Sequence, residues 1–121
     1  MKNRRRHPRY ETEIEAIVYT ADLNLPVTVV DISDEGIGII SKKPIKKGDR
    51  VFISVFPISK DPIIGSAVWS VYVEKDQKYY NMIGIESENL ALERIKTLGF
   101  PKRSAFLSEI ISQMKKDKSQ G

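Results

Sequence analysis

The sequence contains no cysteine. Disulfides and thiolate metal sites are therefore excluded. It contains one histidine, His7, so a histidine metal site or a catalytic triad would need residues from another protein. No apolar run approaches the ~20 residues of a membrane span. The basic start is not followed by the apolar stretch of a secretory signal, so the expected location is the cytoplasm. No Gly-rich phosphate loop, internal repeat or low-complexity segment is present. Acidic pairs such as Asp34 and Glu35 adjoin in a turn and do not by themselves make a catalytic constellation. Few catalytic constellations remain. The chain is expected to be no enzyme and to carry no cofactor or metal.

What is there fits one soluble domain. A length of 121 residues is enough to bury a core without staples. The charge is uneven. The chain opens MKNRRRHPRY, where Lys2, Arg4, Arg5, Arg6 and Arg9 are basic and nothing is acidic. The formal net charge is +4, yet outside these five the balance is 15 basic against 16 acidic residues. The body is nearly neutral and the positive charge sits at one end. A groove-tracking nucleic-acid binder would usually spread it over a folded face.

From Ile14 to Ile85 apolar residues alternate, β-branched residues are common and turn signals recur. EIEAIVYT, VTVVDIS, GIGIIS, RVFISVFP, IIGSAVWSVYVE and YYNMIGIES read as six strands, the fifth the longest. Pro26 marks the exit of the first turn, and DEG breaks the chain between the second and third strands. Short strands at this spacing predict a small antiparallel barrel, and Gly65 is a candidate for the bulge or bend that closes it. The period then changes. NLALERIKTLG has helical spacing, with Gly99 as its stop. In SAFLSEIISQMKK, Ser104 can cap a second helix whose stripe is Phe106, Leu107, Ile110, Ile111 and Met114. That stripe either packs on the barrel or binds a second chain, as in a homodimer. The expected organisation is a basic arm at 1–10, the barrel and following helix at 11–99, and the C-terminal amphipathic helix and tail at 100–121.

Two stretches carry candidate chemistry. In DISDEG, Asp31 and Ser33 are two apart near a strand end and can share a face, with Ile32 anchoring the other. Both can also simply bond local backbone in an ordinary turn. A carboxylate at Asp31 can accept two parallel hydrogen bonds from an N–H pair such as guanine N1 and N2. Ser33 can donate to a phosphate or carbonyl oxygen, and Gly36 lets a ligand or the arm approach bare backbone. In RRHPR, Arg5 and Arg9 are four apart. Guanidinium groups grip phosphate bidentately and stack on flat rings. Pro8 disfavours helix at His7, so the arm is expected to be extended and able to wrap. Taken alone, the arm can equally be a solvated tail. Trp69, the one tryptophan, is either packed in the barrel or on its rim, stacking on a base or an arginine.

An arginine pair at i and i+4 before the first strand, followed by Asp-x-Ser-x-x-Gly, resembles the PilZ domain family. Both motifs are complete here, as RRHPR and DISDEG, and GSAVWSVYVEKDQKYYNMIGIE is similar to the family's last two barrel strands. The resemblance covers roughly residues 4 to 98. It implies a six-stranded antiparallel β-barrel followed by a helix, and a receptor for the bacterial second messenger cyclic di-GMP. By that resemblance Arg5 and Arg9 bind phosphates and guanine edges, Asp31 and Ser33 hold a guanine, and Gly36 allows close approach. Arg6 is a weaker candidate, for a phosphate or a stacked ring. Such a receptor is expected to order its arm on binding and so signal to a downstream protein. Charge-assisted hydrogen bonds contribute ~1.5–3 kcal/mol each, against an ordering cost of ~1–2 kcal/mol per residue of arm. The alternatives are a nucleotide-independent protein–protein adaptor on the same barrel and a single-stranded nucleic-acid binder. The complete motifs oppose the first, and the near-neutral body opposes the second.

Overall fold

A computed structural model describes residues 9–55, 62–88 and 99–120, with side chains through Met114. Six strands form in chain order: β1 (Tyr10–Tyr19), β2 (Asn24–Ile32), β3 (Gly36–Ser41), β4 (Arg50–Ser54), β5 (Ile63–Lys75) and β6 (Lys78–Ser87). All neighbours are antiparallel, and the ring closes in the order β1-β2-β3-β6-β5-β4. The alternation that identified the strands is the alternation of inside and outside. Ile14, Ala16 and Val18 of β1 point inward with Leu25, Val27 and Val29 of β2 and Val51 and Ile53 of β4. Ile45 reaches into the same core from the connection between β3 and β4. Asp76 and Gln77, at φ 54° and 66°, make the two-residue turn between β5 and β6.

Among the described residues one helix, α1 (Ala105–Gln120), lies outside the ring. Ser104 caps it, its hydroxyl accepting from the Leu107 N–H at 3.2 Å. The apolar stripe packs on the chain's own barrel: Leu107, Ile110, Ile111 and Met114 are buried against Val30, Ile40, Val73 and Tyr80. Each such side chain contributes about 1.5–3 kcal/mol by leaving water. Of the five stripe residues only Phe106 stays half exposed, edge-on to Tyr80. Among the described residues no helix is long and apolar enough to cross a membrane.

Three local expectations change. Pro26 lies within β2, opposite Ile17, rather than before it. Gly65 is not a bulge: it keeps register with Val51 and Ser87, and its missing side chain makes room for the Glu86 carbonyl of β6. The bulge in β5 falls between Ala67 and Trp69. The fourth strand ends at Ser54, and the rest of the predicted RVFISVFP beyond Val55 lies outside the described residues. So does the helix expected over NLALERIKTLG, apart from its closing Gly99, whose φ is 79°.

Candidate functional site

The site is built where β2 goes out of phase. Val29 pairs with Ile39 and Asp31 with Gly38, so Val30 is an extra residue against β3. On the other side, Glu11 and Ile14 pair with Asp31 and Val29, leaving two residues of β1 opposite Val30. A bulge of this kind re-aims the side chains that follow it. Val30 turns outward beneath α1, Asp31 also turns outward, and Ile32 returns to the core.

Asp31 then meets the arm. Arg9 Nη2 donates to Asp31 Oδ1 at 2.8 Å, with both side chains partly buried, 23% and 14% exposed. The carboxylate lies over Gly38, where an added Cβ would stand 2.8 Å from Oδ1. Gly38 pairs with Gly84 of β6, and Gly84 pairs with Trp69 of β5. The indole occupies the space that a side chain at Gly84 would fill. Asp31, Gly38, Gly84 and Trp69 thus form one row across four strands. Trp69 is on the rim, sharing the outer face with Asp31, and does not enter the core.

Beside this row opens a pocket of about 150 Å³ lined by residues that include Arg9, Glu35, Gly36, Trp69, Gly84 and Glu86. Its described charges are one arginine and two glutamates, with Asp31 behind the arginine.

The DISDEG turn is held by its own groups. Ser33 is fully buried. Its backbone N–H donates to the Gly36 carbonyl at 2.9 Å, and its hydroxyl accepts from the Glu35 N–H at 3.2 Å. In this structure Ser33 bonds local backbone and does not share the outward face of Asp31. Gly36 lines the pocket and also meets β6. Its bare backbone accommodates the Ile85 carbonyl of β6, into which any Cβ would run. Ser87 N–H donates to the Glu35 carbonyl at 2.9 Å and ties the turn to β6. Arg5, Arg6 and His7 lie outside the described residues.

Sequence reasoning missed Gly38 and Gly84. Each reads as a strand residue, and only the register reveals that one underlies a carboxylate and the other an indole. Among the described residues no group of three or more His, Cys, Asp or Glu can hold a metal ion.

The model of the PilZ domain family matches residues 3–99. Among solved structures the chain is similar to the PilZ domain of YcgR from Escherichia coli with c-di-GMP, at 16% identity and a TM-score of 0.59, covering 98% of this chain and 96% of that one. It is similar to the MrkH–c-di-GMP complex of Klebsiella pneumoniae at 18% identity and a TM-score of 0.62, covering 95% and 56%. It is also similar to the Bacillus subtilis inhibitor of motility MotI/DgrA at 13% identity and a TM-score of 0.58, covering 80% and 48%. The chain therefore spans about half the length of MrkH and MotI. At these identities the likeness establishes the fold. No curated protein matches.

Proposed function

The chain belongs to the PilZ domain family, and on that premise we propose that it is a receptor for cyclic di-GMP. One observation carries the reading: Arg9, which lines an open pocket, is bonded to Asp31, one from each motif and 22 positions apart. Structures similar to this chain include PilZ proteins with c-di-GMP, which supports the same ligand.

Cyclic di-GMP offers two flat guanines and two phosphates. Asp31 accepts from a guanine N–H pair, and Trp69, in the same row, gives that ring an aromatic face; stacking of this kind contributes ~1–3 kcal/mol per base. Arg9 keeps Asp31 oriented and directs further donors toward guanine or phosphate. Gly36 and Ser33 act one step back. They close the turn and set its distance from β6.

The phosphates need more than the described surface. Arg9 is opposed there by Asp31, Glu35 and Glu86. Among the described residues the rim is acidic on balance, and the phosphate contacts are therefore assigned in this reading to Arg5 and Arg6. This is the physical case for an arm that closes over the nucleotide and presents a changed surface to a downstream protein. Isothermal titration of the full chain with cyclic di-GMP tests the reading. Binding is expected, and no heat at high micromolar ligand in a demonstrably folded sample sinks it.

The acidic rim favours one other reading, a nucleotide-independent adaptor that docks a protein on the same barrel. A partner pull-down insensitive to added nucleotide would favour it.

A further inference from the structure

The residues just before α1 run alongside the start of β1. Phe100 stacks on Tyr10 with ring centroids 5.2 Å apart. Thr12, fully buried, donates its hydroxyl to the Pro101 carbonyl at 3.0 Å. Glu13 accepts from the Ser104 N–H at 2.7 Å. Between them Arg103 reaches under the sheet. Its Nε and Nη2 both donate to the Val30 carbonyl, at 3.2 and 2.6 Å, and its Nη1 lies 3.4 Å from Glu11 Oε2. The guanidinium side chain is only 11% exposed.

That carbonyl belongs to the peptide from which Asp31 hangs. Val30 is the bulged residue, out of register with both neighbouring strands. A partly buried carbonyl at such a break needs donors from elsewhere. Arg103 supplies two, in the fixed fork that only a guanidinium offers. Glu11, its other partner, is the cross-strand neighbour of Asp31. The side chain thus holds the site carboxylate from behind and from one side. Arg103 lies beyond residues 3–99, the part of the chain that matches the family model.

We infer that Arg103 is a positioning residue of the nucleotide site, fixing the Val30–Asp31 bulge so that Asp31 faces Arg9, a lining residue of the pocket. For its ligand this rests on the cyclic di-GMP reading; for its geometry it does not. It touches no nucleotide. A second consequence is reciprocal. Whatever strains the Asp31 peptide on binding strains the anchor of α1, and loosening that anchor weakens binding by the same free energy.

The test uses the full chain and Arg103→Ala, Arg103→Lys and Ile53→Ala. Ile53→Ala removes core packing on β4, which pairs with β1 and β5, without touching the bulge. Amide shifts of Asp31 and Gly38 are read without ligand, and cyclic di-GMP affinity is read by titration. Arg103→Ala is expected to move both amides and to weaken binding by about tenfold, the worth of one charge-assisted bond. Arg103→Lys, which has the charge but not the fork, shifts both readouts in the same direction by less. Low-millimolar guanidinium restores binding to Arg103→Ala. Ile53→Ala lowers Tm at least as much, yet keeps affinity within about threefold because β4 adjoins neither β2 nor β3. Arg103→Ala binding like the parent, or losing no more affinity than Ile53→Ala at equal loss of Tm, overturns the inference. If the parent chain binds no cyclic di-GMP, the ligand reading fails by itself. The ligand-free amides then decide Arg103: left unmoved in both Arg103 variants, they overturn its role.

Discussion

Gly38 and Gly84 face each other across β3 and β6, and each lies beneath a side chain of the site. The Asp31 carboxylate rests on the first and the Trp69 indole on the second. Two adjacent positions without Cβ atoms let a charged group and an aromatic ring lie low on a barrel wall. Gly84→Ala must lift the indole, since its new methyl group would occupy the ring's place. The expected results are a shifted fluorescence spectrum of the only tryptophan, about a tenfold loss of cyclic di-GMP affinity, and an overpacking cost of about 1–3 kcal/mol in urea denaturation. An unshifted spectrum contradicts the placement of Trp69.

The pair Arg9–Asp31 can be weighed by a double-mutant cycle. Arg9→Ala and Asp31→Ala are each expected to weaken nucleotide binding by at least about tenfold, because each removes a charge-assisted contact. On stability the two should be coupled by about 1 kcal/mol, at the upper end for ion pairs that still see solvent. Urea titrations of the four proteins give the coupling; additive effects would mean that the pair is absent in solution.

Under the proposed function the phosphate contacts are assigned to the arm. Arg5→Ala and Arg6→Ala should each reduce affinity more at low salt than at high salt, since screening weakens both the attraction and its loss. Glu86→Gln removes an opposing charge and should tighten binding by about two- to threefold at low salt, an exposed-charge effect. Titrations at two salt concentrations check the sign; weaker binding on losing Glu86 would mean that this carboxylate is itself a ligand contact.

On the outer face, α1 is held by a small apolar cluster. Ile110 is 1% exposed, so Ile110→Ala should cost about 2–5 kcal/mol. Ser104→Ala, which loses only the cap, should cost about 0.5–2 kcal/mol. Both are read as shifts in the denaturation midpoint.

Much of this was legible in the chain. Alternation located all six strands because one face of each is buried, and helical spacing with Ser104 located α1. The two motifs marked Arg9 and Asp31 as candidates for one site, though not as partners of each other. What stayed hidden depends on register. A single extra residue at Val30 puts Val30 and Asp31 on the same side, which simple alternation forbids. Ser33 lies past the end of β2, folded into the turn by its bonds to Glu35 and Gly36, and so does not share the face of Asp31. Gly65 reads as a bulge or bend, whereas it keeps register and, like Gly36, makes room for a carbonyl of β6, a neighbour that no local pattern names. Arg103 gave no signal at all, since its partners are 73 and 92 positions away in sequence.

The contacts between residues 10–13 and 100–104 also have a meaning in time. The β1–β2 and β5–β6 hairpins need only nearby chain. The clamp on the Asp31 peptide cannot form until Arg103 has been made and brought back across almost the whole domain. Contacts that close such long loops form late. The barrel can therefore be largely assembled while its binding surface is still unset, and a chain cut short before Arg103 would keep its strands but lack an aimed carboxylate.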